Sequence, residues 1–376
     1  MNKIASQNRI IALDVFRGLT LALMIVVNMP GAWSNVYAPL LHAQWHGCTL
    51  TDLVFPFFLF IVGAAMRFAF EKYDMCLTKN LFRKAINRGI TIFIIGLLLN
   101  AFPFIRQDWD WSSLRIMGVL QRIGICYFIA SIIVLKNDIK DITKIIIGLL
   151  FGYWFIMEGY GYIIKMDPYS LNSNAVLALD GLIIGQGHLY KGAGIPFDPE
   201  GLLSTIPSIA TTLIGFLVGT MIATNKKKLD NFKRMLILGS ALTLLGWIWG
   251  LIMPINKQLW TSSYVLFTAG VAIVTLALII WVTDIKKYQS MASPFTILGA
   301  NSIFLFVLSG LWTKTMLNIK MIFNGVEISG YSYLYQTIFL PFFNKPTSSL
   351  LFAVFHLGIF WLILYWMYRK KIFIKI

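Results

Sequence analysis

Charged residues and cysteines are scarce in this sequence. Only 13% of its 376 residues are charged, whereas 58% are hydrophobic. A soluble domain carries roughly 25% charged residues, so this composition excludes an ordinary soluble protein. The three cysteines, Cys48, Cys76 and Cys126, are too few and too scattered to form a disulfide framework.

Acidic residues are scarcer than basic ones. The chain has 16 Asp and Glu against 32 Lys and Arg, which gives a net charge of +16. A charge of this size can indicate a nucleic-acid-binding protein. Here the basic residues fall between hydrophobic runs and mostly in alternate loops, which is the pattern that sets membrane topology. We therefore expect no nucleic-acid partner.

The hydrophobic residues form blocks of about 20, the length of a helix that crosses a bilayer. They predict an all-α, polytopic membrane protein with about ten transmembrane helices. A β-barrel would show short alternating segments instead. There is no internal repeat, so we expect a single domain over residues 1–376. The predicted spans are 10–29, 52–70, 89–105, 116–135, 144–163, 203–224, 235–253, 263–283, 294–312 and 347–367.

The N-terminal run does not resemble a cleavable signal. Asp14 and Arg17 lie inside it, and no small-residue cleavage site follows. The segments on the same side of the membrane as the N-terminus hold more than twice as many Lys and Arg residues as the segments on the opposite side. The positive-inside rule therefore predicts cytoplasmic N- and C-termini and places segment 41–51 on the non-cytoplasmic side.

Several polar residues fall inside the predicted spans. Asp14 and Arg17 are three residues apart, so they can neutralise each other on one helical face. Asn28 and Asn301 are intramembrane amides, which most often bond a neighbouring helix.

The fourth predicted span carries Gln121 and Arg122. A charge near the bilayer centre is costly and by default indicates a functional site. Arg115 is seven residues before Arg122, so one helix would place both on the same face. Such a pair can hold a phosphate or a carboxylate, although Arg115 can also be a simple interfacial residue. The basic cluster with Lys370 and Lys371 can likewise serve topology or bind a phosphorylated cofactor.

The stretch 41–56 concentrates titratable groups at a membrane surface. His42, His46, Cys48 and Asp52 fall within eleven residues. A metal site is the first alternative for these residues. The break at Gly47 and the lack of a second ligand cluster argue against it, so we expect no metal. A nucleophilic Cys48 activated by a histidine is a second alternative. The third is a histidine base or acyl acceptor oriented by a carboxylate.

Asp52 also has a structural interpretation. Thr49 and Asp52 have the spacing of a capping box at the start of the second span, where the helix dipole favours a negative charge.

Seven ordered blocks make the sequence resemble the heparan-alpha-glucosaminide N-acetyltransferase family and its compact bacterial relatives. The resemblance runs from about residue 9 to the C-terminus. The blocks are Leu13–Thr20, His42–Phe57, Gly118–Arg122, Phe197–Leu203, Asn256–Tyr264, Gly299–Ser302 and Tyr368–Phe373.

The resemblance implies transfer of acetyl from cytoplasmic acetyl-CoA to the amino group of a glucosamine-type sugar on the non-cytoplasmic side. It implies that His42 is the active histidine, with Asn28 and Asp52 beside it. It also implies a multi-pass protein of the inner membrane, with the histidine on the periplasmic side, and a dimer. By electrostatics and motif position, the expected acetyl-CoA contacts are Arg17, Gln121, Arg122, Asn301, Lys370 and Lys371.

Two alternatives to this activity stay open. One is O-acetylation of a cell-envelope glycan, and the other is a sugar or lipid transporter in which Asp14, Arg17 and Arg122 line a path. The missing internal repeat argues against a transporter.

Overall fold

The computed structural model describes residues 10–103, 110–225 and 227–374. Helices make up most of this part, with one antiparallel hairpin in which Lys320 pairs with Ser329. The hairpin strands are β1 (Lys320–Phe323) and β2 (Val326–Ser329). The helices are α1 (Ile11–Asn28), α2 (Val54–Glu71), α3 (Lys79–Ala101), α4 (Val119–Lys136), α5 (Ile139–Ile164), α6 (Ala175–Ile183), α7 (Thr205–Thr224), α8 (Lys228–Trp249), α9 (Ser262–Ile280), α10 (Gln289–Ala300), α11 (Ser302–Asn318), α12 (Gly330–Leu334) and α13 (Lys345–Arg369).

The described helices confirm an all-α polytopic membrane protein. Eight of them are long and apolar enough to cross a membrane, and the bent pair α10–α11 makes nine if it is one span. We predict ten spans from the sequence. The predicted span 89–105 coincides with the second part of α3, a helix that begins with a basic segment and is not among the eight. The last two residues of this predicted span lie outside the described residues.

The predicted span 294–312 is broken rather than continuous. Helices α10 and α11 meet at Asn301 with a bend of 70°. The amide of Asn301 donates from Nδ2 to the carbonyl of Ile372 at 3.1 Å and accepts at Oδ1 from the backbone N of Ile374 at 2.8 Å. The backbone of Asn301 is not helical, and the two hydrogen bonds of its side chain join the C-terminal segment to the break between α10 and α11.

Glycines allow α2 and α7 to pack in close contact. A Cβ added at Gly63 would lie 1.8 Å from the carbonyl oxygen of Thr212, and one at Gly215 would lie 2.0 Å from that of Phe60. Small residues at such crossings let membrane helices approach to backbone distance. This contact holds α2, which carries Asp52 just before its first turn, against the centre of the bundle.

Burial separates central from peripheral helices. More than 60% of the spans of α1, α2, α4 and α7 is buried, against 28% for α5 and 17% for α8. The peripheral helices expose large apolar side chains such as Phe155 and Ile237, which suits contact with lipid.

Three connections that are distant in sequence meet above the start of α2. The indole Nε1 of Trp45 donates to the carbonyl of Tyr169 at 2.7 Å, and the backbone N of Gly47 donates to the carbonyl of Ile255 at 2.7 Å. The segment 41–51 is thereby fixed between the 165–204 connection and the short α8–α9 connection.

Candidate active site

Asp52 is a buried carboxylate that organises the segment before α2. Its side chain is only 2% exposed. Oδ2 accepts hydrogen bonds from the backbone N atoms of Ala43 and Thr49 and from Oγ1 of Thr49, each at 3.0 Å. The bond back to the Thr49 backbone is one half of the predicted capping box. With Oδ2 committed to the backbone, Oδ1 faces His42.

His42 lies against the remaining oxygen of Asp52. Its Nδ1 is 2.7 Å from Oδ1, and 43% of its side chain is exposed. When the carboxylate is ionised, Nδ1 carries the proton that it donates, and Nε2 carries a lone pair. This is the arrangement in which a carboxylate orients an imidazole as a base.

Lys257 completes the charged group. Its Nζ lies 3.1 Å from Nδ1 and 3.4 Å from Nε2 of His42, and 3.6 Å from Oδ1 of Asp52. Burial lowers the pKa of Lys257, while the carboxylates of Asp52 and Glu200 oppose this shift. These distances place the amino group of Lys257 beside the imidazole of His42 and close to the lone pair on its Nε2.

A cavity of about 490 Å³ opens at these residues. This volume is in the range of small-molecule sites. Its polar wall contains His42, Asp52, Arg115, Glu200, Lys257 and Gln258. Its apolar wall comes from the central helices and α11 and includes Leu21, Met24, Val27, Phe55, Phe58, Val119, Leu120, Ile123, Ile303 and Phe306. The cavity therefore joins a polar chamber to an apolar space within the bundle.

Asn28 also lines this cavity, as the last residue of α1. The residue is exposed. The structure thus brings the three residues expected at the catalytic centre, His42, Asp52 and Asn28, to one cavity.

Arg115 binds two carboxylates above the cavity. Nε and Nη2 donate to Asp198 at 2.8 and 2.7 Å, and Nη2 also donates to Oε2 of Glu200 at 2.5 Å. Burial lowers the pKa of Arg115, but the bonds and charges of Asp198 and Glu200 outweigh it and raise the pKa overall. The guanidinium also lies over the ring of Tyr190.

Arg122 and Gln121 lie behind the cavity wall rather than on it. Arg122 is fully buried, stacks on Trp260 at 5.1 Å, and donates to the carbonyl of Gly201 and to Ser204. Gln121 donates to the carbonyl of Ile116 at 3.0 Å. The predicted pairing of Arg115 with Arg122 on one helical face is not observed, because α4 begins at Val119 and leaves Arg115 in the preceding segment.

The other expected acetyl-CoA contacts lie elsewhere. Arg17 donates to Asp14 at 3.2 Å within α1. Asn301 is bonded to the C-terminal segment. Lys370 and Lys371 are exposed after the last turn of α13. None of these residues lines the 490 Å³ cavity.

Cys48 and His46 are not arranged for catalysis with His42. Burial raises the pKa of the Cys48 thiol to about 12, assisted by the charge of Asp52, so the thiol stays protonated near neutral pH. His46 is directed to Asn256, whose Nδ2 lies 3.4 Å from Nδ1. Burial lowers the pKa of His46. Among the residues that the structure describes, no group of three His, Cys, Asp or Glu could hold a metal ion.

Sequence reasoning did not select Lys257 or Glu200 as site residues, and it left Arg115 as either an anion-binding or an interfacial residue. Lys257 occurs in one of the resemblance blocks, and Glu200 in another. A charged residue in a short non-cytoplasmic connection is a weak signal, because most such residues are solvated. Only the fold brings these three to the cavity that His42 lines.

Comparisons with known proteins identify the family of this chain. The family model described as heparan-alpha-glucosaminide N-acetyltransferase, catalytic, matches residues 9–254. The human protein named heparan-alpha-glucosaminide N-acetyltransferase is 29% identical over 351 residues, which cover 80% of this chain and 52% of the human one. The mouse protein of the same name is 29% identical over 358 residues, covering 81% and 53%. The chain thus spans about half the length of the curated relatives it matches. Since the family model covers more than half of the chain, this protein belongs to the heparan-alpha-glucosaminide N-acetyltransferase catalytic family.

Proposed function

We propose that this protein transfers an acetyl group from acetyl-CoA to the amino group of a glucosamine-type sugar, with His42 as the active histidine. One observation carries the proposal: Nδ1 of His42 lies 2.7 Å from a buried carboxylate on the wall of a 490 Å³ cavity. The names of the relatives supply the reaction class, and the cavity has the size of a small-molecule site.

The proposed chemistry begins with the lone pair on Nε2. Asp52 holds the proton on Nδ1, so Nε2 takes a proton from the acceptor ammonium. The amine nitrogen then bonds to the acetyl carbon while the carbon–sulfur bond of the thioester breaks. The imidazolium returns its proton to the sulfur, which leaves as a thiol, and the second ammonium proton passes to solvent. A route through acetyl-His42 uses the same residues.

Asn28 is a second residue that we expect to assist this step. As the last residue of α1 it lines the cavity, and its amide NH₂ is a donor. We propose that it donates to the thioester oxygen, where negative charge develops in the transition state.

The donor would enter from the cytoplasm along the apolar wall of the cavity. Lys370, Lys371 and Arg17 stay proposed contacts for its phosphates. Gln121 and Arg122 would act from behind the wall, by holding the backbone around Ile116 and Gly201. This route requires that both termini are cytoplasmic, that the protein lies in the inner membrane and that the acceptor is periplasmic.

The test uses purified protein in liposomes with acetyl-labelled acetyl-CoA and glucosamine. Wild type is compared with His42→Ala and with His46→Ala, a matched control on the same segment that contacts Asn256 instead of Asp52. We expect labelled N-acetylglucosamine from wild type and His46→Ala, and a loss of about 100-fold or more in His42→Ala.

Three results would overturn the proposal. Full transfer by a folded His42→Ala would remove His42 from the mechanism. If the folded wild type neither bound acetyl-CoA nor transferred the acetyl group, the result would favour a transporter. Ester formation with a hydroxyl acceptor would favour O-acetylation.

A further inference from the structure

The charges at the outer wall of the cavity do not balance. Arg115 faces two carboxylates, Asp198 and Glu200, and Lys257 faces Asp52. With a neutral imidazole, these five groups carry a net charge of −1. Apart from Asp198, the groups that carry this excess negative charge line the same cavity as His42.

The geometry assigns that excess to Glu200. Asp198 forms two bonds to the guanidinium of Arg115 and is 0% exposed, so it neutralises Arg115 as a bidentate pair. Glu200 makes one bond to the same Nη2 through Oε2. No hydrogen bond among the described residues uses Oε1 of Glu200, and Glu200 lines the cavity.

Glu200 lines the same cavity as His42 and Lys257. Its charge and that of Asp52 both act on Lys257. The turn that carries Glu200 is rigid, since its backbone N donates to Oδ1 of Asp198 at 3.0 Å and Arg122 donates to the carbonyl of Gly201 at 3.1 Å. The free oxygen is therefore held in a defined position.

Aromatic side chains flank the same chamber. Trp45 and Tyr190 line the cavity, and Trp45 is held by its bond to Tyr169 and by an edge contact with Phe197. An acceptor with an apolar ring face and one positive charge suits this combination of groups.

We propose that Glu200 is the specificity-determining residue that recognises the acceptor as a protonated primary amine. This inference rests on the proposed function and narrows its acceptor to cationic amino sugars. Oε1 accepts a hydrogen bond from the ammonium before a proton passes to His42, and the loss of positive charge on acetylation then weakens the hold on the product. A neutral hydroxyl can donate a hydrogen bond to Glu200 but has no charge for the carboxylate to attract, so it gains less.

Equilibrium binding tests the inference without catalysis. Glucosamine and glucose share a ring and differ in carrying an ammonium or a hydroxyl at one carbon. Full-length protein in detergent, without donor, is titrated with each sugar, in wild type, Glu200→Gln and Glu158→Gln. Glu158 is a control carboxylate outside the cavity, bonded to Tyr169.

We expect wild type and Glu158→Gln to prefer glucosamine over glucose by about 10- to 100-fold, the range of one charge-assisted hydrogen bond. Glu200→Gln should abolish this preference while binding glucose as wild type does. In turnover, KM for glucosamine should rise with kcat nearly unchanged.

The inference is overturned if Glu200→Gln still prefers glucosamine over glucose. It is also overturned if this variant loses affinity for both sugars equally, because that result would indicate a structural role for Glu200. Failure of the proposed function has a different signature. Wild type would then prefer glucosamine in binding yet form no N-acetylglucosamine with acetyl-CoA.

Discussion

Nζ of Lys257 lies 3.1 Å from Nδ1 of His42, although 215 residues separate them. The contact exists because the backbone of Gly47 bonds the carbonyl of Ile255, which joins the histidine segment to the α8–α9 connection. The same Nζ lies 3.6 Å from Oδ1 of Asp52, so it contacts both members of the His42–Asp52 pair. Lys257 is therefore a positioning partner of the proposed base.

Replacing Lys257 by Met should weaken transfer. Met removes the amino group that lies 3.1 Å from Nδ1 of His42 and 3.6 Å from Oδ1 of Asp52, so the proposed base loses one of its polar neighbours. We expect kcat/KM to fall by about 10-fold or more. Lys257→Arg keeps a cation at this position and should retain most of the activity. Equal losses in folded Lys257→Met and Lys257→Arg would contradict a role for the charge.

Cys48 should be dispensable. A thiol whose pKa is raised to about 12 stays protonated at neutral pH, so we expect it to react slowly as a nucleophile. Cys48→Ala should retain transfer within a few-fold of wild type. At pH 7, a maleimide should label the exposed Cys76 and leave Cys48 largely unmodified, as mass spectrometry of digested peptides can measure. A loss of 100-fold in a folded Cys48→Ala protein would restore the cysteine mechanism.

Asp180 should make stability depend on pH. Burial raises its pKa to about 6, and the charge of Asp198 adds to this, whereas bonds from the backbone N atoms of Leu203 and Leu202 and the charge of Arg122 oppose the shift. The folded protein therefore holds a proton that the unfolded chain releases near pH 4. The stability that this proton contributes is present below pH 4 and is lost as the pH rises through 6.

Asp180→Asn should remove this dependence. An amide keeps an oxygen for the bonds from Leu202 and Leu203 and has no charge to desolvate. The variant should gain up to roughly 3 kcal/mol relative to wild type at pH 7.5, and much less at pH 4. Unfolding in detergent at both pH values measures the difference. An equal effect at the two pH values would mean that ionisation of Asp180 does not control stability.

Gly63→Ala should destabilise the helix bundle. The new Cβ would lie 1.8 Å from a backbone oxygen of α7, so the two helices would have to separate. We expect a loss of about 3 kcal/mol or more and a lower Tm in detergent. Gly148→Ala is the matched control, because its Cβ meets nothing within 4 Å on the peripheral helix α5, and its effect should stay within about 0.5 kcal/mol. Equal Tm values for the two variants would contradict the packing argument.

Local patterns were sufficient for the membrane class and for part of the site. Twenty-residue apolar runs predict the helices because each helix satisfies its own backbone hydrogen bonds, whatever its neighbours do. His42 and Asp52 are ten residues apart, so a short turn before α2 can join them. The same reasoning failed at residue 301, where hydropathy is continuous but the side chain of Asn301 binds the C-terminal segment and the helix breaks.

The sequence by itself determined an all-α membrane protein with a histidine and a carboxylate before its second span. Only the tertiary structure decided which distant charges join them. Lys257 reaches His42 through a loop contact, and Arg115 pairs with Asp198 across 83 residues. Such pairings depend on how the helices pack and on which loops meet above them, and neither is encoded in the periodicity of a single segment.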